Sequence, residues 1–216
     1  MSNTYLKSKQ RVVSHGEVFT NEREVKAMLD LVRSQTERVD SRFLEPACGT
    51  GNFLVEVLRR KLVVLQRRYL RSQLEYERNG IIAVGSIYGI DLLQDNVIEC
   101  QQRLFKLFAN KYRNYFKKDI KPIYLDNISF VLEHNILLGN ALTLRRPDND
   151  QPIIFAEWSA AGGSMIKRRD YTLANLLENQ PVDGMNLFSD LGDSAFIPKP
   201  VAEYSLTHYL KLKDGV

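Results

Sequence analysis

Phe43-Leu44-Glu45-Pro46-Ala47-Cys48-Gly49-Thr50-Gly51-Asn52-Phe53-Leu54 reads as a short buried strand, a glycine-rich turn and the first turn of a helix. Gly49 and Gly51 tolerate positive φ and carry no Cβ, so the backbone N–H groups of the turn can come close to a ligand. Glu45 closes the strand with a carboxylate, which disfavours a phosphate and favours an amino-bearing ligand. The chain has no G-x-x-x-x-G-K-[ST], and Gly49-x-Gly51 lacks the third glycine of a dinucleotide fingerprint. A bare G-x-G is most often a tight turn without a ligand, but Glu-Pro ahead of the glycines serves no evident folding purpose.

Upstream, Thr20 or Asn21 can cap a helix carrying Val25, Met28, Leu29 and Val32 on one side, with Glu22 and Glu24 in its first turn. Downstream, the pattern predicts a helix over about 51–78 ended by Asn79-Gly80, then a strand from Ile81 to Ile90 that closes on Asp91. A helix near 95–112 places Val97, Cys100, Leu104 and Phe108 at helical spacing, and a shorter one is expected near 124–132. Asn135 to Leu138 reads as a third strand ending at Gly139-Asn140-Ala141, Arg145 to Asp150 as a surface turn, and Pro152 to Glu157 as a fourth strand. Strands alternating with helices predict βαβ units and a parallel sheet, with ligands at the carboxyl ends of the strands. Glu45 to Phe53, Asp91 and Asn140-Ala141 all fall at such ends, so one shared site is expected there.

At 216 residues, 44% hydrophobic and 26% charged, the chain is an ordinary globular composition able to bury a core. No apolar run approaches the ~20 residues that span a bilayer, and the N-terminus has no signal-peptide core, so a cytoplasmic location is expected. Cys48 and Cys100 do not read as a disulfide framework. His15, His134 and His208 are dispersed, so no metal is expected. A net charge of +4 and a pI near 9.0 suit contact with a polyanion, with a small excess for a nucleic-acid binder. One basic group, Arg59-Arg60-Lys61 with Arg67, Arg68 and Arg71, reads as the solvated face of the helix after the glycine turn. The other, Lys167-Arg168-Arg169, follows the Gly162-Gly163 break and is expected on a loop that grips phosphate.

Glu45-Pro46-Ala47-Cys48-Gly49-Thr50-Gly51-Asn52-Phe53 resembles motif I of the adenine-specific DNA methyltransferases, [DE]-P-x-x-G-x-G-x-[FL], which binds S-adenosylmethionine (SAM). The resemblance implies the doubly wound parallel α/β sheet of the class I, Rossmann-like methyltransferases, here short of the full set of strands. It also implies that Glu45, Pro46, Ala47, Cys48, Gly49, Gly51, Asn52 and Phe53 form the cofactor loop. Asp91 matches motif II, whose acid holds the SAM ribose, and Leu92 or Leu93 would pack on the adenine; a helix cap or surface acid is the plainer reading of Asp91. Gly139-Asn140-Ala141 is similar to motif III, with Asn140 in place of the usual acid that accepts from the adenine amino group, so weaker binding is implied. His15-Gly16-Glu17-Val18-Phe19-Thr20 is similar to motif X, and its place ahead of motif I is the order of the γ-type enzymes and of restriction-modification modification subunits. A simple turn is the alternative for the Asn140 segment.

The family's catalytic [DN]-P-P-[YFW] is absent. At its expected place stand Glu157, which could accept a proton, and Trp158, which could stack on a flipped base; a surface acid and a core aromatic are the plainer readings. The stretch after Glu157 is short for further sheet strands and a target-recognition domain, so DNA recognition is expected to need a specificity or partner subunit, or a missing portion. The expected organisation is an N-terminal segment and helix (1–40), a SAM-binding α/β domain (41–160) and a basic, loop-rich arm (161–216). Two other functions stay open: a catalytically inactive SAM-binding or DNA-associated subunit, and a methyltransferase acting on RNA, protein or a small molecule.

Overall fold

In the computed structural model, which describes residues 20–178 and 198–215, Asn21 starts the first helix with a reciprocal cap. Its side chain accepts from the backbone of the first turn while Glu24 reaches back to the Asn21 N–H. The helix, α1 (Glu22–Leu31), buries Val25 and Leu29, and a short α2 (Arg33–Thr36) leads to β1 (Phe43–Glu45). Next come α3 (Asn52–Tyr69), α4 (Gln73–Gly85), β2 (Ile87–Asp91), α5 (Gln94–Phe116), α6 (Pro122–Asn135) and β3 (Ile136–Leu138). The three strands are parallel in the order β1-β2-β3, with Glu45 level with Gly89 and Asp91 level with Leu138. The expected parallel α/β sheet is therefore present, and it is compatible with a Rossmann-like fold.

Each crossover carries two helices rather than the long single helix expected over 51–78. Ser72 breaks the first pair by accepting from the Glu75 N–H, a Ser-x-x-Glu start signal. Asn79-Gly80 lies inside α4 and ends nothing. At Gly80 a Cβ would collide with the Tyr124 hydroxyl and press on the Phe108 ring, so the glycine lets α4 approach α5 and α6. The strand that follows starts at Ile87, not Ile81. At 18 and 23 residues, α3 and α5 run ~27 and ~34 Å, against ~10–17 Å for strands of three to five residues. Their far halves therefore pass the amino edge of the sheet and pack with α4 and α6 around Tyr76, Phe108, Tyr112 and Tyr124.

The fourth strand departs most from expectation. β4 (Ile154–Ala160) does not join the parallel sheet; it forms an antiparallel hairpin with β5 (Met165–Thr172) across Gly162 and Gly163, both at positive φ. A short α7 (Leu173–Glu178) follows, and β6 (Ala202–Glu203) and β7 (Thr207–His208) pair with β5. Ile153, Phe155 and Leu173 pack on Tyr88 and Ile90, one face of β2. The other face, at Gly89, meets Leu54 of α3 and Cys48. The hairpin thus covers the side where a doubly wound sheet carries its second helical layer. The domain boundary expected at 160/161 falls within this hairpin, because β5 pairs along the whole of β4. The N-terminal segment through Phe19 and the stretch 179–197 lie outside the described residues.

Candidate functional site

The glycine turn is held from two directions. On the sheet side, the Cys48 N–H donates to the Ile90 carbonyl at 2.8 Å and the Gly49 N–H donates to Asp91 Oδ2 at 2.8 Å. On the helix side, Arg103 of α5 donates through one Nη to the Thr50 carbonyl (2.6 Å), the Thr50 hydroxyl (3.0 Å) and Asn52 Oδ1 (2.9 Å). Between them the backbone folds back at Gly51, φ +85°, which caps α3 with its Cα against the Cys100 thiol. Gly49, at φ +51°, has open space where a Cβ would point.

Above this turn, at the carboxyl ends of β1, β2 and β3, lies a cavity of about 520 Å³. Thr20, Glu45, Pro46, Ala47, Cys48, Gly49, Asn52, Phe53, Asp91, Leu92, Asn140 and Ala141 all line it. Of the residues expected to bind cofactor, Gly51 alone does not; it acts from behind, by shaping the turn. Of the motif X segment only Thr20 lies within the described residues, and its carbonyl accepts from Asn52 Nδ2 at 3.5 Å.

The structure also shows how these groups are prepared. Burial pushes the Glu45 carboxyl up, with the Ala47 N–H pulling the other way. Contact with Cys100, and then burial, drive the Cys48 thiol far above its ordinary value, so it faces the cavity uncharged. Asp91 is not a free acceptor. Besides Gly49, its Oδ1 takes the Leu93 N–H at 2.9 Å and Asn96 Nδ2 at 3.1 Å. The helix-cap reading and the ligand reading of Asp91 are both compatible with this, since a carboxylate has about four lone-pair sites. Asn140 differs from expectation. Its Oδ1 already accepts from the Leu142 N–H (2.9 Å) and the Thr143 N–H (3.3 Å), so what it offers a ligand is the Nδ2 donor.

Met28, Leu93 and Asn96 also line the cavity. Asn96 lies five residues after Asp91, in the first turn of α5, where a polar side chain beside a strand end is a local signal; Met28 carries no such signal, since it belongs to an apolar helix face. Arg103 carries no local motif, because its role depends on α5 lying beside the turn.

Glu157 and Trp158 do not come to this cavity. Trp158 is 5% exposed and packs on Gly85, Phe130 and His134 near the amino edge of the sheet. Glu157 is ion-paired with Arg42, which precedes β1, and with Arg169 across the hairpin. Lys167, Arg168 and Arg169 lie on strand β5 rather than on a loop. Arg168 is buried, paired through Nε and Nη2 with Asp170 at 2.8 Å and set against the rings of Tyr204, Trp158 and Phe130. Lys167 and Arg169 both pair with Glu203. The other basic group is also divided: Arg59 and Arg60 pair with Glu56, Arg60 also with Asp30, and Lys61 is fully buried. Among the described residues there is no His, Cys, Asp or Glu cluster suited to a metal, and no helix long and apolar enough to cross a membrane.

No protein-family profile and no solved structure matches the chain. Among curated proteins it is similar to one of Methanocaldococcus jannaschii provisionally described as a type II restriction enzyme and methyltransferase. The two are 28% identical over 133 residues, a match that covers 58% of this chain and 11% of that protein. The chain thus spans a small part of that relative's length. The similarity supports, at most, a methyltransferase-like relationship of the restriction-modification kind.

Proposed function

We propose that the cavity at the carboxyl edge of β1–β3 binds SAM, and that the chain is the cofactor-binding part of a methyltransferase related to the adenine-specific DNA enzymes of restriction-modification systems. The supporting observation is the convergence of three separate strand ends, Glu45 to Phe53, Asp91-Leu92 and Asn140-Ala141, on one cavity. The donor set fits such a ligand. Glu45 supplies an anionic acceptor for an amino group, Asp91 retains acceptor capacity for a hydroxyl, and Leu92, half exposed, offers an apolar surface for a flat ring. The open space at Gly49 lets a ligand approach the backbone. When bound, SAM supplies an electrophilic methyl group; the residues named here bind and orient it.

Neither Glu157 nor Trp158 stands beside the cavity, which favours a second reading for this polypeptide on its own: SAM binding with little methyl transfer to DNA. Calorimetric titration with SAM and S-adenosylhomocysteine tests the first claim, and folded protein giving no heat with either ligand overturns it. Labelled SAM offered with DNA, RNA and protein in parallel tests the second. Methylation of adenine in DNA at ordinary enzymatic rates removes it, and transfer to RNA or protein alone redirects the substrate class.

A further inference from the structure

We propose that the end of the α3 and α5 pair beyond the amino edge of the sheet is a docking surface for the sugar-phosphate backbone of duplex nucleic acid. The Tyr115 hydroxyl on α5 donates to Gln66 Oε1 on α3 at 2.7 Å, so the last turns of the two helices lie side by side. Arg67 and Arg68 in the last turn of α3 with Arg71 just beyond it, and Arg113 in the last turn of α5 with Lys117 and Lys118 just beyond it, are all exposed there. None of the six has an ion-pair partner among the described residues. Arg59, Arg60, Arg78, Arg145, Arg146 and Arg169 elsewhere are all ion-paired. The acids nearest in sequence do not balance the charge, since Glu75 is held by Arg78 and Asp119 is single.

Helix C-termini attract cations, and one or two per end would answer that field. Six unpaired cations on two adjacent ends exceed it, and they repel one another unless a polyanion lies across them. Backbone phosphate is favoured over a lipid surface because Tyr69, Leu70 and Phe116 at this end are turned into the core, leaving few apolar side chains to insert into a bilayer. The surface lies ~25 Å along α3 from the cavity, so it anchors a duplex and does not present a base to the cofactor. The inference extends the methyltransferase reading without depending on it.

The test is fluorescence anisotropy of a labelled random-sequence duplex against salt, comparing wild type with the triple variant Arg67→Gln, Arg68→Gln, Arg71→Gln. A control triple, Lys26→Gln, Arg38→Gln, Arg146→Gln, removes the same charge from residues already held by acids. If all three arginines contact phosphate, the log–log salt slope flattens by about 2.7 units, and the ratio of Kd at 200 mM to Kd at 50 mM salt falls about 40-fold. The control should shift affinity less than threefold. Equal losses in the two triple variants overturn the proposal, as does wild-type protein that binds phosphatidylserine vesicles but no duplex. S-adenosylhomocysteine affinity should be unchanged in the first triple variant. If wild type binds duplex at this surface but no cofactor, the cofactor reading fails and this one stands.

Discussion

Gly49 and Gly51 sit two residues apart in one turn, both at positive φ, yet substitution should separate them cleanly. Alanine at either position pays the left-handed strain of an L-residue, about 1–2 kcal/mol. At Gly51 the new Cβ would also lie 2.5 Å from Cys100 Sγ and 3.3 Å from its Cβ, with the thiol buried in the core. Overpacking of this kind adds about 1–3 kcal/mol, so Gly51→Ala should destabilise the fold by roughly 2–5 kcal/mol. At Gly49 the Cβ meets nothing within 4 Å, so Gly49→Ala should cost only the strain. Gly49 lines the cavity, so a methyl group in the open space beside it should weaken S-adenosylhomocysteine binding. Urea unfolding and calorimetry measure both. Adding Cys100→Ala to Gly51→Ala should recover about 1–2 kcal/mol as a coupling energy, because it removes the clashing sulfur. The reasoning fails if Gly51→Ala lies within 0.5 kcal/mol of wild type, a change usual for benign surface sites. It fails equally if Gly49→Ala keeps wild-type ligand affinity.

Asn140→Asp keeps one oxygen for the Leu142 and Thr143 N–H groups and replaces the Nδ2 donor with an acceptor, so S-adenosylhomocysteine should bind about tenfold tighter if its adenine amino group lies there. Unchanged or weaker binding by calorimetry removes that contact. Lys61 donates to the Val39 and Ser41 carbonyls and the Ser86 hydroxyl at 2.6–2.9 Å, while burial pulls its ammonium down to about 7. Since a lowered folded pKa penalises the charged form, that penalty is full below about 7 and fades as pH rises towards 10.5. Wild type should therefore gain stability over Lys61→Met between pH 7 and 9.5, by up to ~1 kcal/mol per pH unit, and a flat or falling difference in urea unfolding contradicts it. Trp158→Ala should cost about 3–5 kcal/mol of stability, as a buried aromatic does, whereas Glu157→Gln should leave cofactor affinity intact. A fivefold loss of affinity in Glu157→Gln would return that residue to the site.

The legible part of the sequence was the part whose chemistry is local. A turn that needs positive φ must show glycine, and a strand end that faces a cavity shows its polar residue in place, as Glu45, Asp91 and Asn140 do. What depends on partners distant in sequence was hidden. Pro152 to Glu157 alternates in the same way whether it joins a parallel sheet or a hairpin, so the pattern alone could not choose. Lys167-Arg168-Arg169 follows a glycine pair that can open a loop or turn a hairpin, and the inward positions of a strand are usually apolar. Here they include Arg168 and Asp170, which pair through Nε and Nη2 while Arg168 Nη1 is left without a hydrogen-bond partner among the described residues. Lys61 could have been found: it continues the stripe Leu54, Leu58 and Leu65, a cation on a helix face otherwise buried. Asn79-Gly80 misled because a helix-ending glycine and a helix-packing glycine are the same letter, and only Tyr124 and Phe108 tell them apart.

The same distinction decides what Asp91 contributes. A carboxylate that waited only for a ribose would be solvated and mobile, and its ordering would count against binding. Asp91 instead holds Gly49, Leu93 and Asn96 in place before any ligand arrives, while Arg103 fixes Thr50 and Asn52 from the other side. The turn, the end of β2 and the start of α5 are thus one preformed wall, and binding need not supply the entropy of ordering them. Asp91 accordingly acts on a ligand in two ways, through its remaining lone pair and through the wall it maintains. Its removal should cost stability and affinity together, the signature that separates it from Glu45, whose carboxyl takes the neighbouring Ala47 N–H.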